Sequence, residues 1–278
     1  MYYLSIVWDA GKEGIDLGFY IIRYYSLMFV IAFTLGWFIM KRFYKNEVVA
    51  EEKLDPLFIY VVLATIIGAR LGHYIFYEPE VFLKDPLSVF LPFQFSPKFR
   101  FTGFQGLASH GATIGILTAL YIYSKRVTKT PFFWVVDRVV IPTALGGIFI
   151  RFGNFFNSEI IGKATNSDFG VIYKKLGEDF PRHPTQIYEA GGYLLVFIIL
   201  WYIYWKTDKR KQLGYIFGVF MVLLWLVRFI VEFWKEAQVD DRAEWALNTG
   251  QWLSIPLIMI GLYFMFRKPK IYEVAPDK

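Results

Sequence analysis

Phe132-Phe-Trp-Val-Val-Asp-Arg-Val-Val-Ile-Pro-Thr-Ala-Leu-Gly-Gly-Ile-Phe-Ile150 runs with no polar spacer into Arg151-Phe-Gly-Asn-Phe-Phe-Asn-Ser-Glu-Ile-Ile-Gly162. Arg151, Asn154, Asn157 and Glu159 therefore fall where an apolar segment gives way to water, among phenylalanines rather than lysines. A cation, two carboxamides and a carboxylate at that depth are costly without partners, and such groups mark a site by default. The guanidinium fork donates two parallel hydrogen bonds to a phosphate, so the stretch points to a lipid phosphate. A helix-capping polar cluster at a membrane interface is the other reading of the same residues.

The rest of the chain supplies the membrane. Its 278 residues are 56% hydrophobic and 21% aromatic, too apolar for one soluble domain. The apolar residues fall into seven blocks, at about 20–40, 57–77, 104–123, 132–150, 187–205, 214–234 and 250–266, each near the ~20 residues a helix needs to cross a bilayer. The expected fold is an all-α integral membrane protein, one polytopic domain over residues 1–278 with seven transmembrane helices. There is no cysteine, hence no disulfide, thiolate metal site or thiol nucleophile. The net charge of +6 follows the membrane segments instead of marking a nucleic-acid surface.

That charge sets the orientation. Segments 41–56, 124–131, 206–213 and 267–278 carry fifteen of the thirty Lys and Arg, whereas the longer alternate set 1–19, 78–103, 151–186 and 235–249 carries eleven. By the positive-inside rule the first set is cytoplasmic, which puts the N-terminus outside and the C-terminus inside. No signal peptide is apparent, because the basic pair Lys41-Arg42 follows the first apolar run.

Ranked by depth, the ionisable residues gather on one side. Arg23 and Tyr25 fall at the outer end of the first helix, and Arg70, His73 and Tyr77 share a face of the second. His110 falls about two turns into the third, Arg151 ends the fourth, Arg182-His183 precede the fifth, and Arg228 and Glu232 form an i, i+4 pair in the sixth. Only Asp137-Arg138 lies at the cytoplasmic end, where it reads as a structural pair. Six helices sending charged groups towards one leaflet favour a functional cavity over scattered ion pairs.

Other stretches add detail. Gly68-Ala69-Arg70-Leu71-Gly72 has the spacing that lets membrane helices approach closely. In Ser109-His110-Gly111-Ala112-Thr113-Ile114-Gly115, small neighbours leave room beside the imidazole. Segment 78–103, with four prolines and many phenylalanines, suits a loop along the headgroup layer. Segment 163–186 is large enough for a small extracytoplasmic subdomain. Walker, dinucleotide-binding, HExxH and GxSxG patterns are absent, and the spacing of His73, His110 and His183 does not indicate a metal; no cofactor is expected.

Several of these motifs resemble those of bacterial prolipoprotein diacylglyceryl transferases. They are Ile22-Arg23-Tyr24-Tyr25-Ser26-Leu27-Met28, Gly68–Gly72, His110-Gly111, Arg151–Glu159 with Gly162, Arg182-His183-Pro184-Thr185-Gln186-Ile187-Tyr188-Glu189, and Arg228–Phe233. They occur in the family's order from the first helix to Gly250-Gln251. Ile150, Ala112 and Ser26 depart from glycines usual there, but no charged position departs.

The resemblance implies transfer of a diacylglyceryl group from phosphatidylglycerol to the lipobox cysteine thiol of a prolipoprotein, with release of glycerol phosphate. It places the enzyme in the bacterial cytoplasmic (inner) membrane, its site towards the outer leaflet. Arg151 and Arg228 would bind the headgroup and stabilise the departing phosphate. His110 is the candidate base for a thiol of pKa ~8.5, with Tyr25 orienting or relaying. Asn154, Asn157 and Glu159 would hold glycerol hydroxyls or position Arg151, Glu232 would fix Arg228, and Arg70, Gly162 and His183 complete the expected substrate-binding set. A transporter using the same polar cavity is the alternative, although a transporter needs access from both faces.

Overall fold

The computed structural model describes residues 6–9, 11, 14–18, 21–91, 93–95, 98–101, 106–236 and 247–274. Helices dominate: α1 Tyr24–Asn46, α2 Leu54–Phe76, the short α3 Val81–Lys84 and α4 Pro86–Phe90, α5 Ser109–Tyr123, α6 Phe132–Asn157, α7 Thr185–Lys206, α8 Tyr215–Val231 and α9 Thr249–Phe266. Helix α1, the run Glu51–Phe76 containing α2, and α6, α7 and α9 are long and apolar enough to cross a membrane. Helix α8 is apolar but has 17 residues, and α5 has 15; at ~1.5 Å per residue both fall short of the ~30 Å hydrocarbon core.

The chain divides into two compact units, one of Met1–Arg42 with Val136–Glu273 and the other of Phe43–Val135 with Val274–Lys278. In the first, α1 and α6 approach where Gly36 faces Pro142 and Gly146 faces Ala32. Pro142 lies within α6 without ending it. Nearer the start of α6, Asp137 accepts from the backbone N–H of Gly214 at 2.6 Å and of Phe217 at 2.8 Å. It thus caps α8, whose N-terminal donors have no partner within the helix. Arg138 donates to the Arg210 carbonyl, so the expected Asp137–Arg138 pair works mainly by tying α6 to the start of α8.

Short strands organise the segments between helices. β1 (Ile6–Trp8) pairs in parallel with β6 (Val171–Tyr173), and β2 (Gly14–Asp16) pairs antiparallel with β3 (Ile21–Arg23). Segment 163–186 is mostly irregular, bridged at Ala164–Arg182 and Val171–Arg182.

The second unit is built on α2 against α5. A Cβ on Gly111 would lie 2.2 Å from the Gly68 carbonyl oxygen and 2.6 Å from the Gly72 Cα, and one on Gly115 would lie 2.7 Å from the Ala64 carbonyl oxygen. The Gly68–Gly72 spacing thus serves the close approach expected of it, and the Ala108 N–H donates to the Ala69 carbonyl at 3.0 Å. At the other end of α5, Tyr123 donates to the Lys53 carbonyl at 2.7 Å and its hydroxyl lies 2.6 Å from that of Tyr44. A third strand pair, β4 (Phe93–Gln94) with β5 (Arg100–Phe101), lies in the segment between α4 and α5.

Three expected boundaries shift. Residues 21–23 are a strand, so Arg23 lies outside the first helix. Helix α5 begins at Ser109, which puts His110 in its first turn rather than two turns in; residues 104–105 of that expected segment lie outside those described. Helix α6 runs on to Asn157, so Arg151 sits inside it instead of ending it. Its hydrophobic stripe stops at Ile150, but buried partners for Arg151 and Asn154 let the helix continue.

The α2–α5 crossing has no room for a methyl group. Gly111→Ala is expected to destabilise the protein by about 1–3 kcal/mol, the usual cost of overpacking. Gly191→Ala, where a Cβ meets nothing within 4 Å, should leave thermal unfolding in detergent unchanged or raised.

Candidate active site

In the first unit the last turns of α6 put Arg151 and Asn154 on one face, both buried. Arg151 Nη1 donates to Asn154 Oδ1 at 3.0 Å. The helix then stops sharply: Ser158 and Ile160 have φ of 58° and 56°, a left-handed conformation that costs a non-glycine residue of order 1–3 kcal/mol. The turn swings Glu159 back, where it accepts from Asn157 Nδ2 at 3.2 Å and from Asn154 Nδ2 at 3.4 Å. Asn154 therefore links Arg151 to Glu159, and Tyr25 hydrogen-bonds Asn154 from α1. The Tyr25 ring occupies the space a Cβ would take at Gly153.

The strained turn is held by the start of α7. Gln186 Nε2 donates to the Glu159 carbonyl at 2.6 Å and Thr185 Oγ1 to the Ile160 carbonyl at 2.9 Å, and both side chains are fully buried. One turn further on, Glu189 is also fully buried. Its carboxylate pairs with Arg151 Nε through one oxygen and with Lys235 Nζ at 2.7 Å through the other. Lys235 lies in addition 3.2 Å from Glu232. Arg228 is within electrostatic reach of Glu189 and Glu232 and hydrogen-bonds Tyr193, as Arg151 does. Its Nε is buried with no hydrogen-bond partner. The inner groups thus comprise three cations, Arg151, Arg228 and Lys235, and two carboxylates, Glu189 and Glu232, with the exposed Glu159 at the rim.

Gly162 places Lys235. The Gly162 N–H donates to the His183 carbonyl at 2.9 Å and the Lys163 N–H to the Trp234 carbonyl at 2.8 Å. A Cβ at Gly162 would lie 2.5 Å from the His183 carbonyl oxygen and 2.7 Å from that of Trp234. Any larger residue would push apart the strands of chain that bring Lys235 inward. Gly250 plays the same part for Glu232, whose carboxyl carbon lies 2.6 Å from where a Cβ would be.

Beside this cluster, Arg182 holds Glu178 through two donors at 2.5 and 2.6 Å and Glu236 at 3.0 Å. These bonds, chiefly those to Glu178, push its pKa further above the ordinary range. His183 Nδ1 lies 3.1 Å from the Tyr188 hydroxyl. Burial lowers the pKa of its imidazole, which favours the uncharged ring.

Arg70 and His110 belong to the second unit. Arg70 is buried and donates from Nε to the Val89 carbonyl at 2.9 Å and from Nη2 to the carbonyls of Ser88 and Leu91. These bonds fasten α4 to α2. His110 is exposed and lines an open depression of about 350 Å³ with His73, Tyr77, Leu107, Ala108 and Ser109. Among the described residues no three His, Cys, Asp or Glu side chains form a metal-binding group.

The structure therefore brings Tyr25, Arg151, Asn154, Asn157, Glu159, Gly162, His183, Arg228 and Glu232 into one unit. Sequence reasoning passed over Glu189, Lys235 and Tyr193 as site residues. Glu189 carried a usable signal, being the only acidic residue in the apolar helix Thr185–Lys206. Lys235 carried none, since it read as one charge among those of a loop.

These features define a multi-pass helical membrane protein with a buried, cation-rich cluster. The family described as prolipoprotein diacylglyceryl transferase matches residues 13–267, and the chain belongs to it. It is 40% identical to the phosphatidylglycerol–prolipoprotein diacylglyceryl transferase of Bacteroides fragilis, over 95% of each chain. It is 38% identical to that of Tolumonas auensis over 95% of this chain and 98% of that one, and 39% identical to that of Chloroherpeton thalassium over 95% of each.

Removing one partner from a buried charge cluster costs about 3–5 kcal/mol. Glu189→Gln and Lys235→Met are each expected to destabilise the protein by that order. The double variant should lose less than the two single losses combined, because they share an interaction. Thermal unfolding in detergent measures all three, and strictly additive losses would show that the two charges are not coupled.

Proposed function

We propose that this protein transfers the diacylglyceryl group of phosphatidylglycerol to the thiol of the lipobox cysteine of prolipoproteins, forming a thioether and releasing glycerol phosphate. Its relatives carry that lipid and that protein substrate in their names. The observation that carries the reading is the inner cluster, in which three cations face two carboxylates and Arg228 Nε has no partner. A phosphate supplies both the missing negative charge and the missing acceptor.

The reaction breaks the bond from a glycerol carbon to a phosphate oxygen and forms a carbon–sulfur bond. The thiol gives up its proton and the phosphate leaves with the electron pair. Arg151 and Arg228 hold the phosphate and stabilise the charge that grows on it, which is most effective where water is excluded. Glu189 keeps Arg151 directed at the phosphate, and Lys235 and Glu232 set the charge around Arg228. Tyr25, Asn154, Asn157 and Glu159 receive the glycerol hydroxyls. His110 takes the proton from the lipobox thiol. Gly162, His183 and Arg70 act through backbone placement, the first two at Lys235 and the last at α4.

The protein is one polytopic domain of seven helices in the bacterial cytoplasmic membrane, its N-terminus outside, its C-terminus inside and its site towards the outer leaflet. Segment 163–186 lies outside. The charge asymmetry of the connecting segments supports this topology.

Mass spectrometry of a lipobox peptide incubated with purified protein and phosphatidylglycerol tests the activity. The peptide should gain a diacylglyceryl group, and lipid merely moved across proteoliposomes would indicate a transporter instead. Arg151→Lys keeps the charge but loses the fork. A lost charge-assisted hydrogen bond of about 1.5–3 kcal/mol corresponds to a rate roughly ten- to hundredfold lower, in a protein that still inserts. Near-normal turnover would remove Arg151 from the phosphate role.

Because the chain has no cysteine, it can form no thioether of its own, and direct attack on bound lipid is the simplest course. Enzyme given phosphatidylglycerol alone should release no burst of glycerol phosphate. A burst stoichiometric with enzyme would point to a covalent carboxylate or histidine adduct.

A further inference from the structure

The second unit contains a second imidazole beside the candidate base. Helices α2 and α5 come closest where Gly72 meets Gly111. His73 follows the first of these glycines and His110 precedes the second, so the two histidines flank the crossing point. Both line the open depression of about 350 Å³.

His73 is the better fixed of the two. Its Nε2 lies 3.3 Å from Glu78 Oε1. Tyr77 stacks on the ring at 5.5 Å between centroids, and Tyr74 meets it edge-on at 5.3 Å. Gly106, with φ of 68°, closes over the ring so tightly that a Cβ there would lie 2.4 Å from it. Among the described residues, the charged and titratable groups around the imidazole are Glu78, Tyr77 and Tyr74 on its own side and His110 across the depression. Arg70 lies 5.0 Å from the Tyr74 ring centroid, with its donors on the carbonyls of residues 88, 89 and 91.

We propose that His73, backed by Glu78, is a proton relay that carries the thiol proton from His110 to solvent. The inference rests on the reading of His110 as the base. Proton transfer from a thiol to an imidazole is uphill for the unperturbed groups, so the proton has to be carried onward. A second imidazole on the same depression, its Nε2 held 3.3 Å from the Glu78 carboxylate, takes that proton onward and frees His110 for the next turnover. Water filling the open depression joins the two rings. The S–H bond of the thiol breaks, its proton passes to His110, then to His73, and then to bulk water, while the sulfur keeps the electron pair used in attack. No other bond changes. His73 does not touch the reacting atoms; it acts through His110.

The test compares His73→Gln, Glu78→Gln and His110→Asn with the parent in the peptide alkylation assay, across pH and buffer concentration. The parent must alkylate the peptide and His110→Asn must lose most activity; failure of either rejects the underlying reading and is seen before His73 is considered. His73→Gln is then expected to lower kcat about tenfold with KM for lipid unchanged, and to be restored at least in part by added imidazole. Glu78→Gln, which removes the partner of His73 Nε2, should lower kcat in the same direction and be relieved by added imidazole in the same way. Full activity of His73→Gln would overturn the relay. So would losses that added imidazole relieves in neither variant, which would leave His73 as a packing residue.

Discussion

A carboxylate sealed inside a bundle of apolar helices must be paired, and most of the first unit can be understood as the means of pairing Glu189. The desolvation cost of a buried ion is several kcal/mol even after relaxation, and one cation at one oxygen would offset it poorly. Glu189 has a guanidinium on one oxygen and an ammonium on the other. Each partner comes from a different part of the chain, and each had to be brought there. Arg151 arrives because α6 continues past its apolar stripe. Lys235 arrives because residues 162–163 pair with 183 and 234 through backbone hydrogen bonds. The left-handed residues Ser158 and Ile160 persist because Thr185 and Gln186, one turn before Glu189 on α7, hold the carbonyls of Ile160 and Glu159. The motif Arg182–Glu189 is thus a single device: its first residues tie down neighbouring segments, its middle grips the strained turn, and its last supplies the central charge.

Glycine does in the second unit what the ion pairs do in the first. Apolar helices in lipid gain little from hydrophobic burial against one another, so close packing has to hold them. With Gly68, Gly72, Gly111 and Gly115 at the contact, the backbones of α2 and α5 touch without intervening side chains. The same closeness sets His73 and His110 beside one another, and Arg70, fixed on the carbonyls of α4, completes the frame. In the first unit, α8 and α9 repeat the device at Gly218 and Gly261.

What could be read from the sequence follows from which forces act locally. The apolar blocks, the charge asymmetry between connecting segments and the Gly68–Gly72 spacing are properties of short stretches, and all seven expected blocks contain a helix in the structure. Helix ends were harder. Arg151 looked like a terminus because the apolar pattern stopped there, yet its partner, Glu189, lies 38 positions later and no local rule reveals it. Arg23 looked helical by continuity with the apolar run after it, but pairing with Gly14 across a hairpin made it a strand residue. Arg70, which the resemblance puts in the substrate-binding set, engages carbonyls of a segment whose path no periodicity describes. The residues of the cluster were legible as costly charges; which charge met which was decided by tertiary structure.

If the inner cluster is the phosphate site proposed above, its charge balance favours departure of a phosphate over mere binding of a lipid. Phosphatidylglycerol brings one negative charge on its phosphodiester, and the inner groups, three cations against two carboxylates, match that charge. As the carbon–oxygen bond breaks, further negative charge collects on the departing oxygen, and the same cations interact with it more strongly than with the ground state. Only interactions that grow in this way lower the barrier. Were Glu189 and Glu232 absent, the cations would hold the lipid tightly before reaction and the glycerol phosphate more tightly still afterwards. In such a site the carboxylates would restrain ground-state and product binding, while the fixed positions of Arg151 and Arg228 would keep their benefit for the moment of bond breaking.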